Sequence, residues 1–341
     1  MKIEKYAKNP ILSPDPKIAF EAKCVLNPGV VFDEKTNKFI MLYRAAGMDD
    51  THIIQLGLAT SDDGIHFERY GNEAVFKAHR FEVDGGCIED PRITKIGETY
   101  FVTYAARTFA PGPYWLPDWP FPPRYISDDD VYTDDMPEFV RSNITRTYLA
   151  ATKDFIHYQR LGLITELDVD DRDVVIFPER INGKYYMISR PKFENVEGVN
   201  MPSIWISAGE DLTSFKDPKL LMTGGETDWE VQRIGIGTVP IKTKYGWFAL
   251  YHGVDEKGVY RVGAVILDLN DPTKIVKRTK KWFMEPDEPF ELQGIYDGCV
   301  FPTGTVLKDG TLYIYYGCAD KHIGLATVNF DELLEFVMKG E

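Results

Sequence analysis

Short apolar runs alternate with polar turns along this chain, and one arrangement of them recurs. A Pro-containing turn opens a strand, a Gly or Asn-Gly turn closes it, and an aromatic-rich strand follows. The aromatic strands lie at 39–44, 100–105, 185–190, 247–252 and 312–317. Their starts are spaced by roughly sixty residues, about one four-stranded blade with its loops, except for a longer second interval. A third strand of small alternating residues comes next, as at 55–60, 147–152 and 203–207. An Asp-rich turn then leads into an edge-like segment, as at 61–69 and 153–160. The pattern predicts an all-β fold, a five-bladed β-propeller forming a single domain over 1–341, with a short C-terminal helix at 331–337. Two stacked β-sandwiches do not account for a repeat of this period.

The longer interval carries an insertion at about 107–146. It holds the run Pro111-Gly112-Pro113-Tyr114-Trp115-Leu116-Pro117-Asp118-Trp119-Pro120-Phe121-Pro122-Pro123, followed by an acidic stretch over 128–135 that reads as solvated. Loops this long are often functional, and Trp and Tyr faces suit stacking on a sugar or closing over a site. Packing against a neighbouring subunit is the other reading.

Composition narrows the partners. The 341 residues are 44% hydrophobic and carry a formal charge of −14, so the overall field repels nucleic acid and anionic membrane surfaces. Any anion site has to be a local cluster of basic groups. No apolar run is long enough to span a membrane, and the Met1-Lys2-Ile3-Glu4-Lys5-Tyr6 start has no signal-type apolar core, which gives a cytoplasmic expectation. Cys24, Cys87, Cys299 and Cys318 have no C-x-x-C spacing and read as free thiols. His52, His66, His79, His157, His252 and His322 show no paired ligand spacing, so no metal is expected, and no Gly-rich turn opens a helix to hold a nucleotide.

Candidate chemistry centres on Gly86-Cys87-Ile88-Glu89-Asp90-Pro91-Arg92-Ile93. Pro91 fixes its own φ and pushes Asp90 out of helical geometry at the mouth of a strand, a good place for an acid/base carboxylate. An Asx turn in which Asp90 only bonds nearby amides is the alternative. The sixth positions of the aligned aromatic strands are Arg44, Ala105, Arg190, His252 and Gly317, which a propeller brings to one end of its channel. The segments opening the preceding strands add Asn27 before Pro28, Asp90 before Pro91, Arg172 before 174–178 and Arg233 before 234–237. Arg44, Arg172, Arg190, Arg233 and His252 gathered near one carboxylate point to a site for a small oxyanion. Cations buried without partners are costly, so either carboxylates such as Glu89 and Glu179 pair with them or an anion does. For any single residue of the set, a structural salt bridge is the competing reading.

Several separate motifs also carry a family resemblance. They are the Glu-Asp-Pro-Arg turn, the run 177–185 leading to Arg190-Pro191, the run 233–237 leading to Gly246-Trp247 and Tyr251-His252-Gly253-Val254, and the run 315–322. Together, from about Asn9 to Asp331, they resemble glycoside hydrolase family 130, β-mannoside phosphorylases and some β-mannosidases on a five-bladed propeller. The resemblance implies that Asp90 is the general acid of an inverting reaction. It implies a phosphate site at Arg44, Arg172, Arg190, Arg233 and His252, and substrate contacts from Asn27, Glu89, Arg92, Tyr251, Asp297, Asp320 and His322. Arg233 stands where the family commonly has Lys, Ser189 where it has His or Asn, and the insertion has no counterpart in the pattern.

The implied activity is phosphorolysis of a β-mannosidic bond to α-mannose 1-phosphate, with inorganic phosphate as co-substrate and no cofactor. The residue types suit it: phosphate attacks an anomeric carbon without a protein base, so cations and one acid suffice. A hydrolase needs a second carboxylate, for which Glu179, Glu230 or Asp297 are the candidates. A non-catalytic sugar-binding propeller is a third reading. Asp90 has to remain protonated near neutral pH, which Glu89 favours and Arg92 opposes. His252 is expected to act as a pH handle, with phosphate affinity weakening as its imidazolium deprotonates. The motifs specify neither linkage nor aglycone, and a homo-oligomer stays open.

Overall fold

Each aromatic strand lies second in a set of antiparallel strands, and the set repeats five times around an axis. Blade 1 is Cys24–Asp33, Lys38–Ala46, Ile54–Ser61 and Glu68–Arg69, and blade 2 is Cys87–Ile96, Thr99–Arg107, Arg146–Thr152 and Tyr158–Leu163. Blade 3 is Asp171–Ile176, Tyr185–Pro191, Ile204–Gly209 and Lys216–Met222. In blade 4 the first strand is split into Arg233–Ile236 and Ile241–Thr243, both pairing with Gly246–Val254, and Tyr260–Leu267 and Ile275–Arg278 follow. Blade 5 is Val300–Lys308, Thr311–Cys318 and His322–Asn329, completed by Glu4–Lys5 from the other end of the chain. That last pairing closes the ring and covers the edge strand that would otherwise be left open. The computed structural model describes every residue except 81, 129, 130, 194, 195 and 341. Asp129 and Asp130 of the acidic stretch therefore lie outside the described residues.

The second strands are apolar on both faces because each blade is sandwiched between two others. Lys38–Ala46 is buried from its second residue onward and Gly246–Val254 throughout. The cores accordingly sit between blades. Leu42, Ile93 and Val102 join blades 1 and 2, Val174, Ile176 and Leu149 blades 2 and 3, and Ile188, Ile234 and Trp247 blades 3 and 4. Blade 5 packs on blade 4 through Leu250, Val300 and Ile314, and on blade 1 through Met41, Tyr43 and Tyr315. The helix Phe330–Lys339 is capped by the Asn329 side chain at its start and by Gly340 at φ 72° at its end, and buries Leu333, Leu334 and Val337 against blades 4 and 5. It is longer at both ends than the expected 331–337.

First strands line the axis, and their polar side chains tie one blade to another. Thr303 Oγ1 donates to Pro28 O at 2.9 Å, and Thr94 Oγ1 donates to Ile176 O at 3.3 Å. The Asp-rich turns are structural: Asp63 Oδ1 accepts from the Ile65 and His66 amides, and Asp154 Oδ1 from those of Ile156 and His157. The rings of His66 and His157 bond the same two carboxylates, which accounts for two of the six histidines.

Candidate active site

Three first strands carry a bulge at the same register. Leu26 pairs with Arg44, Glu89 with Ala105 and Arg172 with Arg190, and each pairing resumes one residue out of step, at Gly29, Arg92 and Val175. The residues pushed out are Asn27, Asp90 and Asp173, with φ of 44°, 54° and 56°. Asn and Asp tolerate this left-handed conformation best among residues with a Cβ, which is why they occupy the bulges. All three line one cavity of about 350 Å³ at the end of the channel. Asp173, rather than Arg172, is therefore the counterpart of Asp90 in blade 3. The blade 5 equivalent of Arg44 is Gly317, since a Cβ there would sit 1.9 Å from Asn27 Oδ1.

One wall of the cavity is rich in carboxylates. Asp90 Oδ1 accepts from Asn27 Nδ2 at 2.8 Å and from Arg44 Nη1 at 3.0 Å. Its Oδ2 has no protein hydrogen-bond partner among the described residues, and the side chain is 16% exposed to the cavity. Arg44 Nη1 also pairs with Glu89 Oε2 at 2.8 Å. Asp320 completes this wall; burial, then the charges of Asp90 and Glu89, push its carboxyl up to about 6 against the pull of Arg44.

The other wall is rich in cations. Arg172 holds Asp170 through Nε at 3.0 Å and Nη2 at 2.8 Å, and Lys192 Nζ lies 3.5 Å from the same carboxylate. Arg190 Nε donates to Asp173 Oδ2 at 2.6 Å. Arg107 lines the cavity and donates to the main-chain oxygen of Asn143, but has no ion-pair partner among the described residues. Burial, then Arg172 beside it, lower its basicity. Burial, then Arg172, likewise bring Lys192 down to about 8 despite Asp170. Arg233 also lacks a carboxylate among the described residues; it stacks on Tyr260 and reaches the Tyr296 hydroxyl at 3.3 Å.

The cavity thus brings together Asn27, Arg44, Glu89, Asp90, Arg172, Arg190, Arg233 and Asp320 of the expected residues. The rest lie elsewhere, and each has a physical reason. Tyr251 is fully buried between blades, its hydroxyl donating to Glu230 Oε1 at 2.6 Å, so it is a core residue rather than a substrate contact. Arg92 sits beneath the cavity, bonding the main-chain oxygens of Asp90 at 2.7 Å and Gly237 at 3.2 Å; it braces the Asp90 backbone and does not approach its carboxylate oxygens within hydrogen-bond range. His322 bonds Ser13 at 3.0 Å, and Asp297 caps the Gly294 amide at 3.0 Å. His252 is behind Asp173, with Nε2 3.7 Å from Asp173 Oδ2, and is fully buried. Burial, with Arg190, Arg233 and Arg92 adding to it against the pull of Asp173, lowers it to about 3, so it is neutral in the working range and gives no pH handle. Its proximity also requires Gly235 opposite, where a Cβ would meet Asp173 Oδ2 at 2.3 Å. The candidate hydrolytic bases are engaged outside the cavity as well: Glu179 pairs with Lys242 on the surface, and Glu230 is buried against Arg278 and Tyr251.

Arg107, Lys192 and Asp173 were not picked out by the repeat, although the signal was present. Arg107 lies two residues beyond Ala105 on the same strand face, and Lys192 two beyond Arg190, just past the end of its strand. The insertion supplies further lining, including Tyr114, Trp119 and Phe121.

The family profile described as beta-1,4-mannooligosaccharide phosphorylase matches residues 3–111 and 123–339. The chain is 34% identical to a 1,2-beta-oligomannan phosphorylase of Thermoanaerobacter sp. (strain X514), covering 98% of this chain and 99% of the relative. It is 32% identical to a beta-1,2-mannobiose phosphorylase of the same organism, over 97% of this chain and 99% of the other. Among solved structures, the beta-1,2-mannobiose phosphorylase from Listeria innocua in complex with beta-1,2-mannobiose superposes with a TM-score of 0.79 at 27% identity, covering 99% of both chains. With the profile matched over nearly its whole length and relatives above 30% identity at full coverage, the chain belongs to glycoside hydrolase family 130, the mannoside phosphorylase family.

Proposed function

We propose that the protein phosphorolyses a β-1,2-mannosidic bond with inversion, releasing α-mannose 1-phosphate and a shortened acceptor. The observation that carries the reading is the division of one cavity into an acid wall and a cation wall. Phosphate held by Arg107, Arg172, Arg190, Lys192 and Arg233 attacks C1 from the face opposite the glycosidic oxygen. The C1–O bond breaks, and the proton leaves Asp90 Oδ2 for the departing oxygen, directly or through a sugar hydroxyl. The Asp90 carboxylate that remains is stabilised on Oδ1 by Asn27 and Arg44. The cations lacking a carboxylate, Arg107 and Arg233, support an anionic co-substrate, because buried charge without a counter-ion is costly. The choice of β-1,2 over β-1,4 is supported by the two relatives from Thermoanaerobacter and the Listeria structure, whose names specify that linkage.

The test is to incubate the enzyme with β-1,2- and β-1,4-mannobiose, with and without phosphate, and to follow mannose 1-phosphate and its anomeric configuration by NMR. Phosphate-dependent α-mannose 1-phosphate from the β-1,2 substrate is expected. Equal turnover to free mannose without phosphate would overturn the reading in favour of a hydrolase.

A further inference from the structure

The segment 112–122 lies outside the matched family profile, yet it forms part of the cavity. It is a built loop. Asn143, fully buried at φ 47°, donates to Phe109 O at 3.1 Å and Pro123 O at 2.8 Å and accepts from the Phe109 amide, and the Tyr125 amide bonds Ala110 O, so both ends are pinned together. One side of the loop is fixed to blade 1: the Gly112 amide bonds Thr51 O at 3.0 Å, Tyr114 and Trp115 pack edge-on to His52, and Lys23 lies over Trp115. Inside the loop, Trp119 is already committed, with Nε1 on Pro111 O and its ring stacked on Tyr125. At the far side Phe121 is different. It lines the cavity but is 77% exposed, and its only ring partner among the described residues is Lys192, whose Nζ is 5.1 Å from the ring centre.

We propose that Phe121 is the stacking platform of an acceptor-side subsite, and that the 111–123 loop sets which β-mannosides this enzyme takes. The Asp90 side chain is mostly buried in the cavity lining whereas Phe121 stands exposed, so the part of the substrate beyond the reacting bond extends toward solvent past the loop. A pyranose ring presents an apolar C–H face that an exposed phenyl ring can cover, while its hydroxyls stay in water. The ligand class is the pyranose of the leaving glycoside. This inference rests on the cavity being the mannoside site, but not on phosphate being the nucleophile.

Two readouts test it. In synthesis from α-mannose 1-phosphate, Phe121→Ala is expected to raise the acceptor KM by about three- to tenfold, with Phe121→Trp restoring it and the KM for α-mannose 1-phosphate unchanged. Calorimetry of β-1,2-mannotriose binding to Asp90→Asn enzyme, with and without Phe121→Ala, requires no turnover and is expected to show the same loss. A hydrolytic wild type would defeat the phosphorolysis reading while leaving the calorimetric arm decisive. Unchanged mannotriose affinity, or a rise confined to the KM for phosphate, would overturn the subsite.

Discussion

The two walls of the cavity are built from the same repeat and end with opposite charge. On one, Glu89 and Asp90 share Arg44 and Asp320 stands beside them; on the other, Arg172 and Lys192 share Asp170, Arg190 holds Asp173, and Arg107 has no carboxylate partner among the described residues. Each excess works against its own kind. Burial and crowding raise the Asp320 carboxyl to about 6, whereas burial and the neighbouring Arg172 lower Lys192 to about 8. Blade 2 serves both walls, with Asp90 on its first strand and Arg107 on its second. Separating a proton donor from an anion site within one cavity is what an inverting displacement by phosphate requires, since nucleophile and leaving group act on opposite faces of the sugar carbon.

Removing the acid breaks the comparison most severely. Asp90→Asn is expected to lower phosphorolysis by about 10²–10⁴-fold. The melting temperature should be unchanged, because the amide still accepts from Asn27 and Arg44. Activity within about tenfold of wild type would remove Asp90 from the acid role.

The cation wall is next, and its members differ in what they leave behind. Arg107→Met is expected to raise the KM for phosphate by about tenfold, the value of one charge-assisted hydrogen bond, without loss of thermal stability, since no carboxylate loses its partner. Arg190→Ala should raise the same KM but also lower the melting temperature, because buried Asp173 loses its closest cation, a loss of about 3–5 kcal/mol in comparable buried pairs. Equal stability of the two variants would mean that Asp173 is held well enough by Arg92, whose Nη2 lies 3.5 Å from its Oδ1.

How much of this was legible in the sequence depended on the repeat. The propeller was readable because every aromatic strand is buried on both faces and recurs with blade spacing, as Lys38–Ala46 and Gly246–Val254 show. Arg44 and Arg190 were readable because they recur at one register. Tyr251 and His252 were not: Tyr251 faces the blade core, and His252 shares that register but lies behind Asp173, which covers it from the cavity. Asp173 was hidden by the bulge, which shifts the register by a residue that no spacing rule records. The path of the 111–123 loop was illegible because its Pro-rich run has no period, and its course depends on a single buried Asn143 some twenty residues later.

A smaller effect separates the walls by stability. The Asp320 carboxyl ionises near 6 in the folded protein and near 3.9 in an unfolded chain. Between those values the unfolded chain releases a proton that the folded protein retains, so this group's effect on stability becomes less favourable as pH rises from about 4 to about 6 and is constant above. Asp320→Asn is therefore expected to melt higher than wild type at pH 7, with the gain shrinking to nothing near pH 4. A gain of the same size at both pH values would place its origin in packing instead of charge crowding.

The smallest effect belongs to Lys192 and reports the cation wall alone. Its ammonium loses a proton near 8 in the unliganded cavity, where burial and Arg172 outweigh Asp170. Phosphate's own second ionisation only adds dianion as pH rises, so a fall in kcat/KM for phosphate between about pH 7.5 and 9.5 reflects the protein. Wild type is expected to lose several-fold across this interval as one phosphate-facing charge disappears. Arg retains its charge throughout, so Lys192→Arg should hold kcat/KM level over the same interval, whatever its absolute value. Lys192→Met should be level as well, but lower from the start. A decline that persists in Lys192→Arg would assign the ionisation to another group and reduce Lys192 to a prop for Phe121.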